Sequence, residues 1–84
     1  MHRVQLSKHA SKALEKAMPA LEQRLSQSLT DISGNVFLGK GLHGKLEGMR
    51  SVRVGDWRIV YEIDDKNSVV VVHGIGPRGQ IYKD

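Results

Sequence analysis

The chain is 84 residues long and carries thirteen Lys and Arg against nine Asp and Glu, a formal net charge of +4. That length allows one small domain, residues 1–84, with little surplus core. With no cysteine, disulfide reinforcement and thiolate metal ligation are excluded. The sequence shows no cationic leader followed by an apolar run and no stretch long enough to cross a bilayer, so a cytoplasmic, membrane-free protein is expected. The basic balance favours polyanionic partners, while one Trp, two Tyr and one Phe are too few for a platform that stacks single-stranded bases.

Residues His2 to Leu6 alternate around Val4 and Leu6 and predict a short edge strand. Ser7 is placed as a helix N-cap, and Ala10, Ala13, Leu14 and Ala17 follow at helical spacing. Lys8, Lys12 and Lys16 then form a row on another face, either solvated or contributing to RNA attraction. Pro19 suits the first turn of a second helix with Leu21, Leu25, Leu29 and Ile32 on one stripe and Gly34 as its C′ stop. The two helices read as a hairpin that covers one face of a sheet.

Between Gly34 and Gly48, five glycines in fifteen residues oppose regular structure. The interspersed Val36, Phe37, Leu38, Leu42 and Leu46 predict a folded-over loop anchored by Phe37 and its aliphatic neighbours, ending where Met49 begins the sheet. From Arg50 to Ile63, two β-branched runs flank Gly55-Asp56, a pattern that predicts a two-residue type II′ hairpin. In that register Arg53 faces Arg58. Alternation puts Arg50, Val52, Val54, Trp57, Ile59, Tyr61 and Ile63 on a mostly apolar face, with Ser51, Arg53, Arg58, Val60 and Glu62 on the other. Like charges directly opposite are destabilising. The arginine pair therefore reads either as an anion site or as solvated surface in which Glu62 pairs with Arg58.

Asp64 to Asn67 supply a turn, and Ser68 to Val72 form a β-branched run expected as a buried central strand. Gly74, Gly76, Pro77 and Gly79 are expected to break it, with Ile81-Tyr82 as a last short strand. The fold class is α+β: an N-terminal strand and a helical hairpin packed on one face of a twisted antiparallel sheet of three to four further strands, the opposite face open. If the buried strand pairs with the Trp57–Ile63 strand, Arg78 approaches Arg58. His2, His9, His43 and His73 lack metal-ligand spacing, no Ser sits in a nucleophile elbow, and Gly39-Lys40-Gly41 lacks the frame of a phosphate loop. No cofactor or metal is expected.

The run from Gly41 to Asp65, with Arg53-Val54-Gly55-Asp56-Trp57-Arg58-Ile59-Val60-Tyr61-Glu62-Ile63 at its centre, followed by Val71 to Tyr82, resembles the RelE/ParE superfamily of bacterial toxins. The helical hairpin extends the resemblance over nearly the whole chain. In its RelE-like branch it implies a toxin of a type II toxin–antitoxin system: a ribosome-dependent endoribonuclease that cuts mRNA without a metal. There the ribose 2′-hydroxyl attacks the adjacent phosphate.

By position, the resemblance implies that Arg53 holds the phosphate and Arg58 stabilises the transition-state oxyanion. It sets Arg78 near the leaving 5′-oxygen, Tyr82 against a base or the attacking hydroxyl, and Lys45, Arg50 and Ser51 along the RNA. Where many relatives carry a second basic residue this chain has Ser51, and where they carry histidine it has Pro77. General-base duty then falls to His43 or Glu47, or catalysis rests on orientation and electrostatics. A cognate acidic antitoxin, the ribosome and mRNA are the implied partners, with DNA reached only through the antitoxin. The alternatives are a ParE-like DNA gyrase inhibitor without catalytic activity and a degenerate RNA- or ribosome-binding module.

Overall fold

A computed structural model describes residues 1–77. In chain order they form β1 (Arg3–Leu6), α1 (Lys8–Lys16), α2 (Pro19–Gly34), β2 (Lys40–Gly41), a single 3₁₀ turn at Gly44–Leu46, β3 (Met49–Val54), β4 (Trp57–Asp64) and β5 (Val69–Pro77). The strands make one sheet in the order β1-β5-β4-β3-β2.

The helix boundaries follow from local chemistry. Ser7 caps α1, its hydroxyl accepting the Ala10 amide at 3.0 Å, and the same hydroxyl donates to the His73 carbonyl at 2.8 Å. One side chain thus starts a helix and ties it to β5. Pro19 opens α2, where its missing N–H costs nothing. The second helix runs through Gly34 and is capped by Asn35, one residue beyond the expected stop. Leu25, Leu29 and Ile32 from α2 and Ala10 from α1 pack against Val54, Ile59, Tyr61, Val70, Val72 and Ile75 of the sheet.

The hairpin register is the expected one, with Val54 opposite Trp57, Arg53 opposite Arg58 and Val52 opposite Ile59. Gly55 has φ +61°, and Ser68 is the non-glycine residue with positive φ among those described, so Asp56 does not share that conformation. This combination defines a type II′ turn.

Two expectations are corrected. The central strand does not stop at Gly74; β5 continues through Gly74 and Gly76 to Pro77, because that half stays paired with β4, Gly74 with Val60, Gly76 with Arg58 and Pro77 with Trp57, while β1 flanks Val69 to Val72. The four strands after the helices are antiparallel as expected, and β1 joins β5 in parallel, so the sheet as a whole is mixed.

The glycine-rich segment is anchored by Tyr61, not Phe37. The buried Tyr61 hydroxyl donates to the Val36 carbonyl at 2.7 Å and accepts the Gly39 amide at 2.9 Å. Phe37 is 65% exposed. Gly39 is required there, since a Cβ would lie 2.7 Å from the Tyr61 oxygen. The pinned segment runs straight into β2, a two-residue strand that the glycine density concealed.

Candidate nucleic-acid interface

Strand alternation carries Arg53, Arg58 and Glu62 to the face turned away from the helices. Arg53 and Glu62 are exposed there and Arg58 is half-buried. On the neighbouring strand Gly76 is the partner of Arg58 and Gly74 the partner of Val60. A β-bulge explains this. The register shifts between Val60 and Tyr61, so Tyr61 pairs with Val72 and the extra residue is His73. Beyond it Ile75 switches to the core side, and both glycines face the arginine-bearing surface. The face is less open at its centre than expected: Ser51 is 7% and Val60 3% exposed. Arg53, Arg58, Glu62 and His73 lie around that centre.

Glu62 does not pair with Arg58 as one sequence reading had it. Its carboxylate meets His73 Nε2 at 2.9 Å, and the two side chains are half-exposed. No sequence spacing announces this His–Glu pair, because the bulge and the β4–β5 register create it.

Arg50 sits apart from Arg53 and Arg58. It lies on the core-facing set, where its Nε donates to the Gly39 carbonyl at 2.9 Å and its guanidinium stacks over Phe37 at 5.4 Å from the ring centroid. This arginine braces the pinned segment.

His43, Lys45 and Glu47 are exposed in the loop between β2 and β3. That loop closes with the Leu42 amide on the Met49 carbonyl at 2.9 Å. Met49 lies four residues from Arg53, about 13 Å along the strand. The two expected bases thus belong to the far end of the sheet from the arginine pair. Arg78 and Tyr82 lie outside the described residues, although Pro77, immediately before Arg78, is the partner of Trp57 beside Arg58.

Sequence reasoning also missed Arg24 on α2. Its guanidinium lies against Gly55, with Nη1 3.3 Å from where a Cβ would sit. Arg53 Nε donates to the Gly55 carbonyl at 3.2 Å. Two cations from different elements thus meet at the hairpin turn. Among the described residues there is no group of three or more His, Asp or Glu side chains able to hold a metal, and no helix long and apolar enough to cross a membrane.

Solved RelE toxin structures share this architecture. The RelBE2 toxin–antitoxin complex from Mycobacterium tuberculosis superposes with a TM-score of 0.83 at 29% identity, over 92% of this chain and 98% of that one. The isolated E. coli RelE toxin gives a TM-score of 0.82 over 98% of this chain and 92% of that one; at 20% identity this is a likeness of fold. The fold and its sequence relatives define a toxin of the RelE/ParE superfamily.

The chain belongs to the family described as ParE toxin of type II toxin–antitoxin system, parDE, whose model matches residues 4–82. Toxin RelE of Mycobacterium tuberculosis is 46% identical over 46 residues, 55% of this chain and 47% of that protein. Toxin RelG of the same organism is 39% identical over 46 residues, 55% of this chain and 53% of that protein. The match spans about half the length of these curated relatives.

Proposed function

We propose that this toxin cleaves mRNA on the ribosome by metal-independent transphosphorylation. The observation that carries the reading is the Arg53–Arg58 cross-strand pair, set beside a side-chain-free Gly76 on the face turned from the helices. The chemistry needs charge neutralisation where the phosphorane develops, and guanidinium groups supply it with bidentate geometry. Arg53 holds the phosphate, Arg58 stabilises the oxyanion, Arg78 approaches the leaving 5′-oxygen, and Tyr82 orients the reacting nucleotide. RelE-named relatives and neighbours support this branch.

The protein acts in the cytoplasm and is neutralised by an acidic antitoxin, as the toxin–antitoxin complexes among its structural neighbours suggest. Docking is by a helix laid over the basic face or a strand added to the sheet edge.

Primer-extension mapping of mRNA after induction tests the proposal. Wild-type protein yields discrete new 5′ ends, and Arg58→Ala, by comparison with loss of one oxyanion donor, lowers their yield by roughly 10²–10³-fold. Undiminished cleavage by a folded Arg58→Ala protein overturns the assignment. The family description names ParE toxins, which keeps gyrase inhibition as a second reading. Double-strand DNA damage with intact mRNA selects it.

A further inference from the structure

The open edge of β3 carries a feature that the proposed catalytic face does not use. β2 pairs only with Arg50 and Ser51, so from Val52 onward β3 has no neighbour on that side among the described residues. Arg53 reaches round this edge toward α2, and a cleft of about 360 Å³ opens there, lined by Gln23, Arg24, Gln27, Ser28, Arg53 and Val54. Arg24 and Arg53 both converge on Gly55, as described above. Among the described residues no carboxylate lies within ion-pair distance of either. Along α2 the positions three and four residues from Arg24 are Leu21, Ala20, Gln27 and Ser28, none of them acidic. Two cations meeting without an acid repel one another unless an anion sits between them.

We infer that this cleft is a second phosphate subsite, which takes an RNA phosphodiester between Arg24 and Arg53 with Gln23, Gln27 and Ser28 as hydrogen-bonding neighbours. The inference rests on the RNA-cleaving reading. It extends the RNA path round the hairpin turn, from Arg58 through Arg53 to Arg24. Arg53 is the shared member, and its reach over the free edge joins the two sites. Arg24 binds and does no chemistry. The phosphodiester belongs either to the mRNA substrate or to ribosomal RNA at the docking surface.

The test measures binding of the full chain to a short single-stranded RNA and to purified ribosomes across a KCl series. One phosphate contact to a single strand contributes about 0.7 to the slope of log K against log salt, which is roughly fivefold in affinity at 0.1 M. Arg24→Ala is expected to lose that slope and that affinity. Loss on the oligonucleotide assigns the phosphate to mRNA; loss on ribosomes alone assigns it to ribosomal RNA; either result supports the subsite.

Lys66→Ala, an equal loss of charge in the β4–β5 turn, serves as control. Arg24 is exposed on a helix surface, and a melting curve matching wild type shows that the variant folds. Unchanged RNA and ribosome binding in Arg24→Ala overturns the inference, as does an effect confined to an acidic partner protein or an equal loss in Lys66→Ala. The two proposals fail separately. RNA left intact by wild type with its Arg24-dependent binding retained removes the nuclease alone, whereas cleavage with Arg24-independent binding removes the subsite alone.

Discussion

Replacing Tyr61 by Phe removes one oxygen and unsatisfies two backbone groups. The hydroxyl is fully buried, donates to the Val36 carbonyl and accepts the Gly39 amide. A buried polar group left without a partner costs about 1–3 kcal/mol. With two such groups and some relaxation, the loss is about 2–4 kcal/mol, a large share of the ~5–15 kcal/mol that holds a typical domain. For a chain of this size each kcal/mol moves the melting midpoint by about 4–8 °C, so the midpoint falls by roughly 10–25 °C.

Urea unfolding with a common m-value measures the free energy. Hydrogen exchange shows where the loss begins, in the amides from Leu38 to Leu42. A Tyr61→Phe protein within ~0.5 kcal/mol of wild type, the range of an ordinary surface change, would refute this account of the pin. Gly39→Ala attacks the same contact from the other side, because the added methyl also meets the Ser51 carbonyl at 3.0 Å. The two variants are expected to be strongly non-additive.

Ser7→Ala removes both the α1 cap and the link to the His73 carbonyl; a loss of about 1–2 kcal/mol is expected in urea titration. Gly55→Ala places a side chain at φ +61° against the Arg24 guanidinium, and should cost about 1–2 kcal/mol; thermal melts check this. The Asp64 carboxyl is held below its ordinary value of 3.8, chiefly by the Asn67 side-chain amide and then by the Asn67 backbone N–H. A depressed folded value means that this contribution is present above the unfolded pKa and fades as pH falls through the folded one. Asn67→Ala should move the Asp64 titration upward in an NMR pH series, and an unmoved titration argues against the side-chain hydrogen bond as its chief cause.

Much of the fold was legible where a local pattern coincides with a tertiary one. Gly55-Asp56 between alternating runs specified the register of β3 and β4, and Ser7 and Pro19 marked the helix starts. The continuation of β5 was not legible, because Gly74 and Gly76 carry a loop signal that pairing with β4 overrides. Phe37 was misjudged for a similar reason. Its hydrophobicity suggested an anchor, but the buried carbonyl and amide beside it needed a polar partner, and Tyr61 combines bulk with a hydroxyl.

Of the site, the Arg53–Arg58 pair followed from the two-residue turn and strand alternation together. Arg24 reaches the turn through helix docking, and His73 reaches Glu62 through a bulge; neither relation is written in sequence spacing.

The parallel seam between β1 and β5 joins the two ends of the described chain: Arg3 lies beside Val69, and Ser7 closes on His73. During synthesis the helical hairpin and the β2–β4 meander emerge before β5, the strand that pairs with both β4 and β1 and packs beneath α1. The first strand must wait for the last. Contacts so distant in sequence form slowly, so β1 joins the sheet only after Val69 to Val72 have been made.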